Sequence, residues 1–164
     1  RNLERRSVTL IPVLTGAFMY AGDLTRALSR LNRLNGSWHI DWPVDFIDIG
    51  SYGKDQVSSG TMKVYKDLKS FLGGQDVLIV EDIVDTGLSA DWLLNHLRQH
   101  SPASLEIASL LRKPSRTIVD VNPRFVGRMV EDLFVVGYGM DHAGNFRELP
   151  YVGVEYTEPT EVTT

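Results

Sequence analysis

The segment Val77–Leu97 constrains the fold of this chain more than any other. Gly73-Gly74 is followed by four apolar residues in a row, Val77-Leu78-Ile79-Val80. A short apolar run bounded by glycine is the pattern of a strand buried on both faces. Beyond it, Leu88, Trp92, Leu93 and Leu97 recur at helical spacing and form one broad apolar stripe. A strand with no polar face, leading into an amphipathic helix, belongs in a sheet covered by helices.

The rest of the chain repeats the alternation. Val8–Leu14 reads as a mostly buried strand in which Pro12 forfeits one ladder bond. Ala17, Ala21, Leu24, Leu28 and Leu31 then mark a helix, with Arg26, Arg30 and Arg33 on another face and Asn35-Gly36 as its stop. Val44–Ile49, Leu105–Leu111 and Leu133–Gly137 read as further strands. Gly50–Gly60, rich in Gly and Ser, is expected to be a mobile loop, and the polar tail after Glu155 to be loose. The expectation is a single domain over residues 1–164, an α/β fold with a mainly parallel sheet flanked by helices. Such sheets bind ligands beyond the carboxyl ends of their strands. Attention therefore falls on the residues after Leu14, Ile49, Val80, Leu111 and Val136.

Composition narrows the function. A chain of 164 residues, 43% of them hydrophobic, can bury one sizeable core. Its net charge of −4 supplies no basic field for nucleic acid or an acidic membrane surface, so neither is expected as a partner. Zero cysteines exclude disulfides and thiolate metal sites and fit a reducing cytoplasm, the expected location. No apolar run approaches the length that spans a bilayer. His96 and His100 share the i, i+4 spacing of some zinc sites, but no glutamate accompanies them as in H-E-x-x-H, and solvent exposure is expected. Trp38 and Trp42 read as packing residues, and Gly137-Tyr138-Gly139 is too short for a dinucleotide fingerprint.

The chemistry lies after Val80. Adjacent carboxylates, Glu81 and Asp82, are followed by Asp85-Thr86-Gly87-Leu88-Ser89 at a helix start. Unsatisfied N–H groups there attract an anion, Gly87 lets the backbone come close, and Thr86 and Ser89 add hydroxyls. No G-x-x-x-x-G-K-[ST] is present, so the loop suits a single phosphate rather than a nucleoside triphosphate. Carboxylates beside a phosphate need compensation, from ribose hydroxyls or a bridging Mg²⁺. By spacing alone, the acids could equally serve only to complement the helix dipole.

Val77–Ser89 resembles the full thirteen-residue signature with which type I phosphoribosyltransferases bind phosphoribosyl pyrophosphate (PRPP). The form E-D-I-V-D-T-G is similar to that of the hypoxanthine-guanine branch. The likeness continues from VLTGAFMYAGDL near the start to FVVGYGMDHAGNFRELPYVGV near the end. It implies transfer of a phosphoribosyl group from PRPP to a 6-oxopurine, with Mg²⁺ as cofactor. By the resemblance, Glu81 and Asp82 hold the ribose hydroxyls directly or through Mg²⁺, and Asp85 to Ser89 cradle the 5-phosphate. Asp85 also stands as general base toward the purine imidazole. Leu14-Thr15-Gly16 matches the pyrophosphate loop, which in this family often contains a non-proline cis peptide. Thr15 departs from the commonest pattern, which has lysine there.

The same likeness assigns Ser51 and Tyr52 to a mobile loop that closes over the reaction and excludes water. Lys113 would donate to the purine 6-oxo group. Phe134 would stack on the base and Val135 contact it through its backbone, with Ile83, joined by Met140, on the opposite face. Asp141, beside the base, would bind a second Mg²⁺, and Arg147 would reach pyrophosphate. A small hood is expected largely from the C-terminal part, and the family's helical segment before the first strand is expected to be missing from the front of this sequence. Homo-dimers or homo-tetramers are implied. A xanthine-preferring enzyme and a non-catalytic PRPP-sensing regulator are the competing expectations.

Overall fold

The computed structural model describes residues 6–34, 40–51 and 62–156. Asn35-Gly36, Trp38, Tyr52 with the loop through Gly60, and the tail from residue 157 lie outside the described residues.

The main sheet has seven strands. They are β1 (Arg6–Leu14), β2 (Ile40–Asp41), β3 (Ile47–Ser51), β4 (Met62–Lys66), β5 (Asp76–Val84), β6 (Ser104–Arg112) and β7 (Phe125–Met129). Their order is β4-β3-β1-β5-β6-β7, with β2 also on β1. Every pairing is parallel except β3 with β4. Two helices, α1 (Phe18–Leu34) and α2 (Leu88–Arg98), cover opposite faces. A separate antiparallel ribbon joins β8 (Val135–Val136) to β9 (Gly153–Val154).

Strand alternation sorts the core. Ile11, Val13, Val77 and Ile79 face α2 and pack with Leu93 and Leu97. Leu10 and Val80 point the other way, onto Ala21 of α1, where Tyr20, Leu24, Leu28 and Trp42 close around them. Each large aliphatic side chain removed from water in this way contributes about 1.5–3 kcal/mol. Trp42 packs as expected. Leu31 does not, being 53% exposed where the α1 stripe runs past its cover.

Pro12 is tolerated in a central strand for a geometric reason. Leu10 turns both its N–H and its C=O toward residues 43–45. Two residues on, Pro12 has the same orientation, so its missing donor faces that side and not the β5 ladder. Pairing there is already interrupted, between the Leu10–Val44 bridge and the contact of Val13 with Ile47.

Several expectations need correction. The strand read over Val44–Ile49 begins only at Ile47. Asp45 accepts hydrogen bonds from the N–H groups of Phe46, Lys69 and Ser70 at 2.8, 2.7 and 2.8 Å, which ties residues 45–46 to another loop instead of a ladder. Gly50 and Ser51, read as loop, complete β3 and pair with Lys63 and Met62. β5 runs on past Val80 to Val84 because β6 stays beside it, with Glu81 opposite Ser109 and Val84 opposite Arg112. The strand read over Leu133–Gly137 shrinks to Val135–Val136 and leaves the main sheet, since Gly137 at φ 89° turns the chain back. β4 and β7 carried no apolar run and escaped the sequence reading.

His96 is also less exposed than expected. It stacks on Trp92 at 4.7 Å and lies 3.3 Å from Asp67, while His100 meets its edge at 5.7 Å.

Candidate active site

The carboxyl ends of β1 and β5 build the site together. β1 and β5 are in register at Pro12 and Val80, so the loop after Leu14 emerges beside Glu81 and Asp82. The Leu14–Thr15 peptide is cis. Gly16 follows, and a Cβ there would lie 1.8 Å from Asp82 Oδ2. Thr15 is exposed, and its carbonyl accepts the N–H of Phe18 at 3.3 Å as α1 begins.

Glu81 is buried at 6% exposure. Burial pushes its pKa well above the ordinary range, and the charge of Asp82 adds to the effect. Asp82 is raised as well, first by burial. The N–H of Ile83, bound at 2.8 Å, and the charge of Arg147 oppose that shift, while Asp141 reinforces it. Asp82, Asp141 and Arg147 are therefore electrostatic neighbours. Arg147 Nη2 lies 2.6 Å from Asp141 Oδ1, and its Nη1 donates to the Gly139 carbonyl at 2.6 Å. Asp141 Oδ2 accepts the Gly144 N–H at 2.7 Å.

The Asp85–Ser89 loop is held from behind. The Thr86 carbonyl accepts the N–H groups of Ile118 and Val119 at 2.9 and 3.0 Å. Gly87 sits at φ 84°, and a Cβ on it would come within 2.2 Å of the Val119 carbonyl oxygen, so only glycine fits. Gly87 caps α2 without a side-chain hydrogen bond, and Leu88 N–H reaches Thr86 Oγ1 only at 3.4 Å. The first turn of α2 thus keeps donors free for an anion. Glu81, Asp82, Ile83, Asp85, Thr86 and Ser89 line one cavity of about 230 Å³.

Asp85 opens that loop. Its Oδ1 is buried and makes no hydrogen bond, although Arg116 Nε stands 3.0 Å away in an ion pair. The contact is close in distance but not aimed as a hydrogen bond. Arg116 also reaches Asp132 at 3.3 Å. Lys113, whose N–H donates to the Val84 carbonyl at 3.0 Å, is 6% exposed and so is no ordinary surface lysine.

Phe134 is 53% exposed and meets His142 edge-on at 5.1 Å, which makes it a surface ring and not a core one. Val135 is half-buried in the ribbon, and Met140, bridged to Gly137 in the turn beyond it, is buried. Ser51 ends β3.

Two features escaped the sequence reading: the approach of Arg116 to Asp85, and the hydrogen bond from Tyr138 Oη to Asp23 Oδ2 at 2.5 Å. Neither carries a local signal, since each joins segments far apart in the chain.

Among the described residues, no three His, Cys, Asp or Glu side chains form a closed metal cage. The site offers instead a few hard carboxylate oxygens, Glu81, Asp82 and Asp141. The adjacent pair Glu81 and Asp82, and Asp141 apart from it, each suit Mg²⁺, which takes one or two carboxylates and completes its shell with water and substrate oxygens.

A mainly parallel α/β sheet with an open helix start, paired buried acids and an acid–arginine turn at the ends of its strands defines an α/β protein with an anion-binding site there. The phosphoribosyl transferase domain family matches residues 1–143. The chain is 43% identical over 146 residues to the hypoxanthine-guanine phosphoribosyltransferase of Bacillus subtilis, covering 88% of this chain and 74% of that one. It is 39% identical over 150 residues to the enzyme of the same name from Dictyostelium discoideum, with 92% and 79% covered. A crystal structure of a Bacillus anthracis hypoxanthine-guanine phosphoribosyltransferase superposes with a TM-score of 0.81 at 35% identity, over 94% of this chain and 85% of that one. The chain belongs to the phosphoribosyl transferase family, in its hypoxanthine-guanine branch.

Proposed function

We propose that this chain transfers the 5-phosphoribosyl group of PRPP to N9 of a 6-oxopurine, hypoxanthine or guanine, releasing pyrophosphate and forming IMP or GMP in purine salvage. The observation that carries the proposal is the meeting of Gly16, Asp82, Asp141 and Arg147 beside a phosphate loop that begins with Asp85. The names of the relatives point the same way.

In this reading the 5-phosphate rests on the N–H groups and hydroxyls of Asp85 to Ser89. Glu81 and Asp82 accept the ribose hydroxyls. Leu14-Thr15-Gly16 and Arg147 receive pyrophosphate, a task for which Thr15 contributes backbone and hydroxyl but no charge. Asp85 takes the proton of the purine imidazole as N9 attacks C1 of the ribose and pyrophosphate leaves, and gives that proton up to solvent; in the reverse reaction it returns a proton to the base. Lys113 donates to the 6-oxo group, Val135 contacts the base through its backbone, and Phe134 and Ile83 hold its two faces. Ser51 and Tyr52 begin the loop that closes over the reaction. One Mg²⁺ held through Glu81 and Asp82 and a second at Asp141 would neutralise charge on the departing pyrophosphate. The ribbon β8–β9 with the turns around it forms the hood over the single domain. The working form would be a cytoplasmic homo-dimer or homo-tetramer.

A turnover assay with PRPP, Mg²⁺ and each of hypoxanthine, guanine, xanthine and adenine tests the proposal. Pyrophosphate release with hypoxanthine or guanine is expected. Fast turnover of xanthine alone would assign a different base, and PRPP binding without turnover of any base would make the chain a sensor.

A further inference from the structure

The ribbon β8–β9 is not part of the main sheet, yet it carries Asp141 and Arg147 to the end of β5. Something must fix its position there. Backbone contact supplies one point: Gly139, at φ 103°, sits so close to Gly16 that a Cβ on it would lie 2.1 Å from the Gly16 carbonyl oxygen. One backbone contact does not by itself set the turn's orientation.

Tyr138 supplies the second. Its backbone is at φ 52°, uncommon for a tyrosine, and its N–H is bonded to the Leu149 carbonyl at 2.9 Å. From that backbone the half-buried side chain crosses to α1, where Oη donates to Asp23 Oδ2 at 2.5 Å. Asp23 is held in turn by Arg26, one helical turn further on. α1 follows directly from the Leu14–Gly16 loop, so Tyr138 ties the Asp141–Arg147 turn to the same rigid body that carries that loop.

We infer that Tyr138 and Asp23 form a positioning pair that sets the Asp141–Arg147 turn over the Leu14-Thr15-Gly16 loop and so determines how well the pyrophosphate end of PRPP is held. The inference rests on the proposed function. Neither residue touches the reacting atoms. Their geometry persists at neutral pH: burial and the Asp23 bond push the Tyr138 hydroxyl up to about 12, so the donor keeps its proton. The Tyr138 bond and then Arg26 hold Asp23 below the ordinary carboxylate range. The pair matters more here than in a chain with lysine at position 15, because Thr15 brings no cation and Arg147 is left to supply one.

The experiment compares wild type with Tyr138→Phe, Asp23→Ala and the double variant, with melting temperatures recorded for each. Tyr138→Phe should raise KM for PRPP about fivefold to tenfold, the effect of losing a charge-assisted hydrogen bond. kcat and KM for hypoxanthine should stay within about twofold, because neither Tyr138 nor Asp23 touches the base or the reacting atoms. Asp23→Ala should do the same, and the double variant should be no worse than either alone. An unchanged KM for PRPP, a fall in kcat with both KM values moving together, or strictly additive effects would overturn the pairing. If the wild type turns over no base, the proposed function falls, and calorimetric Kd values for PRPP with Mg²⁺ decide the pair. Weaker binding by Tyr138→Phe then supports it and equal binding refutes it, while no PRPP binding by wild type removes both proposals.

Discussion

Gly16 and Asp82 leave no room for a methyl group between them. A Cβ on Gly16 would stand 1.8 Å from Asp82 Oδ2 and 2.6 Å from its carboxyl carbon. The contact joins the loop after β1 to the acid pair of β5, and the register of Pro12 with Val80 makes it possible. Gly16→Ala must therefore displace either the loop or the carboxylate. The expected result is PRPP affinity weakened about tenfold or more, as overpacking costs of about 1–3 kcal/mol imply. Calorimetry with PRPP and Mg²⁺ measures it, and a wild-type Kd would show that the loop moves aside without consequence.

Asp85 is the residue on which turnover should depend most. Its carboxylate is partly exposed, with Oδ1 buried beside Arg116 Nε at 3.0 Å and bound by no hydrogen bond. Asp85→Asn keeps the shape and removes the base, and should lower kcat by about 10²–10⁴-fold. PRPP binding should change far less, because the loop N–H groups remain. Turnover near wild type would exclude Asp85 as the base.

Lys113 should set the choice between 6-oxo and 6-amino purines. Its backbone is anchored to Val84 and the residue is buried, so its reach is restricted. An ammonium offers three donors and no acceptor, which matches an oxygen at position 6 and opposes an amino group. Adenine should be at best a trace substrate, at a cost of about 1–3 kcal/mol. Lys113→Ala should lower kcat/KM for hypoxanthine and guanine and narrow the gap to adenine. Discrimination as sharp as wild type would remove Lys113 as the reader.

Asp45 should govern stability in acid. Burial alone would raise its pKa, but the N–H groups of Ser70, Lys69 and Phe46 outweigh burial and hold the carboxyl well below the usual range. A group depressed in the fold stabilises it above the unfolded pKa, near 4 for aspartate. That stability is lost as the pH falls through the lower folded value. Asp45→Asn should cost about 2–3 kcal/mol at pH 7. In urea titrations the difference from wild type should shrink as the pH drops below about 4. A difference that stayed constant down to pH 2 would mean the charge contributes nothing.

Much of this architecture was legible without coordinates because it is encoded locally. The apolar run Val77–Val80 and the stripe Leu88, Trp92, Leu93 and Leu97 specify a strand and a helix through side-chain periodicity alone, and the phosphate loop lies in the few residues between them. Family membership was legible for the same reason, since E-D-I-V-D-T-G is contiguous. Strand ends were not. Val44–Ile49 looks like a strand, yet Asp45 is taken by N–H groups of Lys69 and Ser70, which no local pattern announces. Nor could periodicity show that Gly16 abuts Asp82, that Arg116 faces Asp85, or that Tyr138 reaches Asp23. Those contacts depend on sheet order and on the path of the β8–β9 ribbon. The central strand β5, both helices and the chemical groups between β5 and α2 are written within a few residues each, which is why they were legible. Strand limits, the edge strands and the meetings between distant groups follow from how whole strands pair, which no short segment encodes.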